Sequence, residues 1–288
     1  MTFKIDVVIP TFKDEDALQR CLERLRAQTL APSDFRVIVC NNDPSATLSE
    51  TRHAFPEFTF ITEASPGSYS ARNAGLAVSD SPVVAFTDAD CEPAPNWLEG
   101  GLKYIENGAD LIAGRVIVDF QSTKLSAAEC YEKAFGFDQE SNATRGVSVT
   151  ANLIARRACF DEIGNFNAQL MSGGDVQWTK RATDFGLKLV YGAGCAVSHP
   201  ARASIRQILK KTRRVTGGLY AQGETPPIWK LILFFLLPPF GIVKRLFANT
   251  DLSLTEKCKA TWVAYLVKLQ YYSEALKLNL KMGTPTRS

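Results

Sequence analysis

The sequence predicts an α/β fold in which a mostly parallel sheet is covered by helices on both faces. Short runs of β-branched residues alternate with segments whose apolar residues recur at helical spacing, from residue 5 to about residue 200. The strand candidates are nearly continuous apolar runs, as expected for strands buried on both sides. After His199 the alternation stops, and the rest of the chain has the pattern of helices alone.

The individual elements follow from the same periodicities. Strands are predicted at 5–9, 35–40, 59–62, 83–87, 110–119, 150–155 and 187–191. Helices are predicted at 14–28, 68–78, 97–107, 158–163, 175–185, 204–216 and 255–281. Residues 124–146 have no clear pattern, and residues 228–247 are strongly apolar.

Charge is distributed unevenly along the chain. The net charge is only +3, yet residues 201–288 contain 15 Lys and Arg against 4 Asp and Glu, while residues 1–200 contain 18 against 26. A basic tail behind an acidic body predicts an anionic partner for the tail, either nucleic acid or anionic lipid. No nucleic-acid recognition motif appears, so nucleic acid is not expected as a partner.

Cysteine usage indicates the compartment. The chain has seven cysteines and no C-x-x-C pair, which argues against a disulfide framework and a zinc site. A reducing, cytoplasmic environment is therefore expected. The first apolar run is interrupted by Asp6 and ends at Pro10, so no signal peptide is expected.

Two carboxylates, Asp88 and Asp90, directly follow the predicted strand at 83–87. Alternate residues of an extended segment point the same way, so both side chains can face one ligand. Hard oxygen ligands suit Mg²⁺ or Mn²⁺, which is often shared with substrate phosphates. Taken alone, the pair is explained equally well by a solvated acidic loop.

Two further segments, each at the start of a predicted helix, contain candidate functional residues. A glycine pair precedes Asp175, where a carboxylate suits a general base, and the alternative is an ordinary helix N-cap. The segment from Gly67 to Gly75 offers free N–H groups and Arg72, which suit a diphosphate. The alternative there is a surface arginine on a capped helix.

Together these segments resemble the family-2 glycosyltransferases with the GT-A nucleotide-sugar fold. The resemblance spans residues 4 to about 202. Its motifs are Val7-Val-Ile-Pro10-Thr11-Phe-Lys-Asp14, Val39-Cys-Asn41-Asn42-Asp43, Ala71-Arg72-Asn73-Ala-Gly75, Asp88-Ala-Asp90 and Gly-Gly-Asp175-x-x-Trp178.

The resemblance implies a nucleotide site and a metal site. The nucleotide's base and ribose would be lined by Pro10, Thr11, Asn41, Asn42 and Asp43. Asp14 holds an acidic position in the first of these loops, Arg72 would contact the nucleotide or its phosphates, and Asp88 would lie near the ribose and the sugar. Asp90 would bind Mn²⁺ or Mg²⁺, with His199 beside the metal or the diphosphate. The family usually has Asp where this chain has Asn41, so the preferred base stays open between uridine, guanosine and thymidine.

The resemblance also implies the reaction. Asp175 would be the general base that deprotonates the acceptor hydroxyl, and a single displacement would invert the sugar. The acceptor is expected to be a saccharide or a lipid-linked saccharide in cell-surface polysaccharide synthesis. The alternatives are a sugar nucleotidyltransferase and a non-catalytic nucleotide-sugar-binding protein of the same fold.

The implied domain organisation is a GT-A catalytic domain followed by a membrane-associating region. The catalytic domain would occupy residues 1–202, with a nucleotide-binding half over about 1–95 and an acceptor half over about 96–202. Residues 203–288 would form a basic and apolar helical region.

The stretch 231–243 in the C-terminal region is uncharged but shorter than the roughly 20 residues of a membrane span, and Pro238-Pro239 would break it. An interfacial or re-entrant segment on the cytoplasmic face of the cell membrane is expected, with Lys230, Lys244 and Arg245 at the headgroups. The alternative is a buried helical hairpin.

Overall fold

A computed structural model describes residues 3–237 and 240–284, and the predicted proline break at 238–239 lies outside them. Eight strands occur in these residues: β1 Ile5–Thr11, β2 Phe35–Asn41, β3 Thr59–Thr62, β4 Val83–Thr87, β5 Glu92–Pro93, β6 Leu111–Asp119, β7 Asn152–Arg156 and β8 Leu189–Pro200. The described helices are α1 Glu15–Arg26, α2 Ser49–Ala54, α3 Ser68–Val78, α4 Trp97–Glu106, α5 Ala127–Phe135, α6 Gln139–Thr144, α7 Ala158–Ile163, α8 Gly174–Asp184, α9 Ile205–Ala221, α10 Ile228–Leu236, α11 Phe240–Ala248 and α12 Leu254–Asn279.

The eight strands form one sheet in the order β3-β2-β1-β4-β7-β6-β8-β5, which confirms the α/β prediction. Strands β3, β2, β1 and β4 pair in parallel, whereas β7 pairs antiparallel with β4 and β6, and β5 pairs antiparallel with β8. Apolar periodicity reports burial and not direction. The antiparallel half was therefore not visible in the sequence.

Several elements differ from the predictions, among them two strands and the region 124–146. Strand β1 continues past Pro10, because its pairing with β4 ends at Val8 and the missing proline N–H removes no bond from that ladder. Strand β8 is twelve residues long, and its glycine-rich middle had weakened the strand pattern. The patternless region 124–146 holds α5, which begins with a capping box between Ser126 and Glu129, and α6.

The chain divides into two compact units. The first comprises Met1–Ile117, Asp138–Gln169 and Gly174–His199, and the second comprises Val118–Phe137, Leu170–Gly173 and Pro200–Ser288. The first unit contains the nucleotide and metal motifs, and the second is largely helical. The division of the catalytic domain into nucleotide and acceptor halves stays a prediction.

Helices α5, α9, α11 and α12 form the core of the second unit. One buried cluster joins Cys130, Leu246, Leu252 and Ala260, and another joins Ala128, Ile208 and Val263. Within the described residues, no single helix has the length and apolar character needed to cross a membrane. The pair Ile228–Phe235 and Phe240–Ala248 reaches that length and composition together, with a bend of 56° between them.

Helix α3 lies unusually close to the sheet in the first unit. A Cβ atom at Gly75 would clash with the Val8 side chain and would lie 2.8 Å from the Cys40 sulfur, so this position requires glycine. The helix ends at a buried carboxylate, Asp6, which accepts hydrogen bonds from the Ser79 hydroxyl at 2.7 Å and the Ser81 amide at 3.1 Å. These contacts fix the position of α3.

Asp6 also accepts two hydrogen bonds from Arg36, at 2.9 and 2.8 Å. Burial alone would raise the pKa of Asp6, but the hydrogen bonds from Arg36, Ser79 and Ser81 outweigh it and the pKa lies below its ordinary value. The stabilisation from Asp6 is therefore present above the unfolded carboxyl pKa of about 3.9. It is lost as the pH falls through the lower pKa of the folded state.

We expect Asp6→Asn to lower the free energy of unfolding at pH 7 by about 3 kcal/mol, because it leaves Arg36 without its buried partner. It should also flatten the pH dependence of stability below pH 4. Urea unfolding from pH 3 to pH 7 measures both effects. Asp80→Asn is the control, because Asp80 binds the same arginine from an exposed position. Equal losses in the two variants would contradict the assignment.

Candidate active site

The carboxyl ends of β1, β2 and β4 meet at one edge of the sheet. Thr11 pairs with Asn41 at the ends of β1 and β2, and Asp88 directly follows β4. Open α/β sheets bind ligands at this edge. The loops that follow β1, β2 and β4, which contain the predicted nucleotide and metal residues, therefore begin close together.

Asp88 and Asp90 lie in a tight turn, closed by a hydrogen bond from the Cys91 amide to the Asp88 carbonyl at 3.0 Å. The short strand β5 follows, and its Glu92 pairs with Ser198 of β8. This register places His199 beside the turn, with its Nε2 atom 3.6 Å from an oxygen of Asp90. The structure thus brings His199 next to Asp88 and Asp90, although more than a hundred residues of sequence separate it from them.

These side chains form a possible metal centre. One ligand atom from each of Asp88, Asp90, Cys91 and His199 lies within 4.8 Å of the others. Sequence reasoning did not single out Cys91, although its place next to Asp90 was the available signal. Burial and the neighbouring carboxylates raise the pKa of the Cys91 thiol, whose sulfur lies 3.8 Å from the Ala151 carbonyl. The two carboxylates and the imidazole of this group are a donor set that fits Mn²⁺ or Mg²⁺, whereas a thiolate suits softer metals.

Arg72 lies beside this centre. Its guanidinium is 3% exposed and forms an ion pair with Asp88. Among the described residues, its buried Nε atom has no hydrogen-bond partner. An unsatisfied buried donor costs about 1–3 kcal/mol, and a ligand that accepts this hydrogen bond would remove the cost.

Tyr69 precedes Arg72 by three residues on α3, so both side chains lie on one helix face. The Arg72 guanidinium is 5.6 Å from the centre of the Tyr69 ring. The Tyr69 hydroxyl donates a hydrogen bond to Asp175 at 2.9 Å. Burial and the Asp175 carboxylate raise the pKa of Tyr69 far above its ordinary value, so the hydroxyl stays a donor. Sequence reasoning missed Tyr69.

Asp175 is half-buried and held by several donors. One of its oxygens accepts from Tyr69 and from the Val176 amide at 3.0 Å. The other accepts from the Thr150 amide at 3.0 Å and, more weakly, from the Thr150 hydroxyl at 3.3 Å. Helix α8 begins at Gly174, so Asp175 lies inside the first turn and does not act as the N-cap that the sequence left open.

Trp178 anchors the helix that carries Asp175. Its ring stacks on Phe160 at 4.2 Å and contacts Phe166, and its indole N–H donates to the Gly164 carbonyl at 2.7 Å. The side chain is fully buried. Trp178 therefore contributes to the motif by positioning α8.

Residues 150 and 151 lie between Asp175 and the Asp88–Asp90 turn and contact both regions. The Thr150 amide donates to Asp175, and the next carbonyl, that of Ala151, accepts from the Thr87 hydroxyl at 3.0 Å. The same carbonyl lies against the Cys91 sulfur. Asp175 and the Asp88–Asp90 turn thus both contact the backbone at residues 150 and 151, and both contact one face of α3.

The predicted base and ribose residues bond to their own or neighbouring loops. Asn41 bonds the Ala46 carbonyl and the Asp43 amide, and Asn42 bonds the carbonyls of Glu63 and Ser65. Asp43 accepts from the Ser45 hydroxyl at 2.6 Å.

In the loop after β1, Asp14 also makes a structural contact. It caps α1 by accepting a hydrogen bond from the Ala17 amide at 3.2 Å. Thr11 is buried and Pro10 is partly exposed. Contact of these residues with a nucleotide stays a prediction.

Comparison with known proteins adds relatives to this geometry. Residues 6–164 match the model of the family described as Glycosyl transferase family 2. The chain is 35% identical over 221 residues to Glycosyltransferase AglE of Haloferax volcanii, which covers 74% of this chain and 72% of that protein. It is 28% identical over 193 residues to Uncharacterized glycosyltransferase YwdF of Bacillus subtilis, covering 65% and 71%.

Solved structures resemble the fold at low sequence identity. The mannosyltransferase PcManGT from Pyrobaculum calidifontis, solved with GDP-Man and Mn²⁺, aligns with a TM-score of 0.59 at 19% identity, covering 97% of this chain and 88% of that one. Residues 1–349 of S. aureus TarS, solved with UDP-GlcNAc, align with a TM-score of 0.56 at 15% identity, covering 97% and 92%. At such identities the likeness concerns the fold.

Proposed function

Because this chain belongs to glycosyl transferase family 2 and is a glycosyltransferase with the GT-A fold, we propose that it transfers a sugar from a nucleoside-diphosphate-sugar to an acceptor hydroxyl with inversion. One observation carries the proposal. A single face of α3 contacts a carboxylate of the candidate metal cluster through Arg72 and a separate carboxylate, Asp175, through Tyr69. Family membership sets aside the alternative of a sugar nucleotidyltransferase.

The donor diphosphate would lie beside Arg72. The free Nε atom of Arg72 supplies a buried charged donor, and the first turn of α3 has no side-chain cap on its N–H groups. Relatives of this fold solved with GDP-Man and with UDP-GlcNAc support this class of donor. The base and the sugar are left open.

A divalent cation, Mn²⁺ or Mg²⁺, would be held by Asp88, Asp90 and His199. When bound, it would neutralise the charge that develops on the diphosphate leaving group. Arg72 contributes positive charge on the same side. The ion pair between Arg72 and Asp88 would keep the guanidinium oriented towards the leaving group.

Asp175 would take the proton from the acceptor hydroxyl. Three firm hydrogen bonds, from Tyr69, Val176 and the Thr150 amide, orient the carboxylate. The weaker contact from the Thr150 hydroxyl, at 3.3 Å, is the one that an acceptor hydroxyl would replace. A base on the face opposite the leaving group gives one displacement and inversion, with no covalent sugar–enzyme intermediate.

We expect Asp175→Asn to keep donor binding and to lower the transfer rate by about 10²–10⁴, because the amide cannot accept the acceptor proton. A thermal-shift screen of nucleotide-sugars with Mn²⁺ selects the donor, and donor dissociation constants and transfer rates are then measured on both proteins. Asp161→Asn, at an exposed site on α7, is the control. Transfer at the parent rate by Asp175→Asn would refute the base assignment.

We also propose that the enzyme is peripheral on the cytoplasmic face of the cell membrane. Large apolar side chains of α10 and α11 are exposed, including Trp229 at 63% and Phe240 at 71%. Monomeric soluble proteins rarely expose such a contiguous apolar patch. The flanking Lys230, Lys244 and Arg245 are exposed as well and suit anionic headgroups.

These helices are not a fully buried hairpin. Leu231 and Leu246 are buried at 1% each, so one side of each helix packs, while most large residues of α10 remain exposed. An amphipathic pair of this kind suits the membrane interface. An acceptor presented at that surface, such as a lipid-linked saccharide used in cell-surface polysaccharide synthesis, fits this location.

We expect the double change Trp229→Glu and Phe240→Glu to weaken binding to phosphatidylglycerol vesicles at least about tenfold, since two aromatic side chains lose their apolar burial. Vesicle co-sedimentation measures this binding, which should also weaken with added salt. Phe185→Glu is the control, because Phe185 is 62% exposed on the first unit. Unchanged vesicle binding by the double variant would remove the membrane proposal.

A further inference from the structure

The second unit contains a cavity of about 400 Å³. Its wall is largely apolar and includes Tyr131, Phe135, Ile208, Val215, Val267 and Tyr271. Two threonines of α9 also line it, but their hydroxyls donate to their own helix, Thr212 to the Ile208 carbonyl at 2.9 Å and Thr216 to the Thr212 carbonyl at 2.8 Å. The cavity therefore favours an apolar ligand.

One cation in the wall, Lys211, is poorly neutralised. Within the described part of the chain, its ammonium takes part in no ion pair, and it lies 5.6 Å from the ring centre of Phe137. The buried carboxylate of Glu132 also lines the cavity, but it is bound by Arg202 at 2.8 Å. Burial and repulsion from Arg202 lower the pKa of Lys211 to about 8, and Glu132 offsets this only in part.

The cavity adjoins the apolar face of α10. Tyr272 lines the cavity and also contacts the ring of Phe234, at 6.4 Å between ring centres. Lys268 lines it too and donates to the carbonyls of Phe235 and Leu237 at the end of α10. A molecule bound to the exposed face of α10 would thus be separated from the cavity by the Tyr272 side chain.

We propose that this cavity binds a single hydrocarbon chain that bears an anionic head, with the chain against the apolar wall and the head beside Lys211. Charge complementarity selects the head, because a neutral or cationic head would leave Lys211 without an anionic ion-pair partner. The volume lies at the lower end of the range for small-molecule sites, which suits one chain. None of the residues involved is among those proposed for metal binding, donor binding or proton transfer, so this would be a second site.

Calorimetric titration of the full chain with dodecyl phosphate, below its micelle concentration, tests the proposal. We expect dodecyl phosphate to bind at least about tenfold more tightly than dodecyl maltoside, which has no anionic head, or inorganic phosphate, which has no hydrocarbon chain. Lys211→Gln should weaken dodecyl phosphate binding by about tenfold. Lys210→Gln, at the exposed preceding residue, should leave it unchanged.

A second variant tests the chain-binding wall. Val267→Trp should fill the cavity and abolish binding while circular dichroism and Tm show a folded protein. If that variant does not fold, the comparison between Lys211→Gln and Lys210→Gln decides alone. Equal affinities in these two lysine variants, equal affinities for dodecyl phosphate and dodecyl maltoside, or no binding by the folded parent protein would each overturn the proposal.

Discussion

Helix α3 holds two carboxylates that come from distant parts of the chain. Tyr69 and Arg72 are one turn apart, and they contact Asp175 and Asp88 respectively. The remaining parts of the site depend on this arrangement. Gly75 lets the helix approach the sheet, Gly174 leaves room for the Tyr69 ring, and the buried Asp6 fixes the other end of the helix. The packing of α3 against the sheet therefore helps to set the positions of Asp88 and Asp175 relative to each other.

A second constraint is the register of a very short strand. Strand β5 has two residues, yet its pairing with β8 places His199 at Asp90. Two carboxylates and an imidazole then share one small volume beside an arginine with a free donor. The combination suits a cation-bridged diphosphate. The helices of the second unit add an exposed apolar surface on α10 and α11 and a cavity with different chemistry.

The sequence predicted the parallel strands and most helices of the first unit, because these depend on local patterns, but it missed α2 and α6. The chemical roles of Asp88, Asp90 and Asp175 stay predictions. The sequence could not predict Tyr69, whose importance arises from a contact with a residue 106 positions away. The antiparallel direction of β7 against β4 and β6 was likewise not predicted, since periodicity does not encode strand direction. The full length of β8 was also missed. Asn41 and Asn42 matched a nucleotide-binding motif, but the Asn41 side chain bonds within its own loop and the Asn42 side chain bonds to the segment that follows β3.

If the Asp88–Asp90 turn and Asp175 border one cleft, Mn²⁺ bound at the turn should broaden amide NMR signals near both by paramagnetic relaxation. We expect strong broadening at Thr150 and Val176 as well as at Cys91, and its loss in Asp90→Ala. We expect little broadening at Phe35, which lies at the other end of β2, roughly 20 Å from Asn41 at about 3.3 Å per strand residue. Broadening at Cys91 with sharp signals at Thr150 and Val176 would show that the two carboxylate sites do not share a cleft.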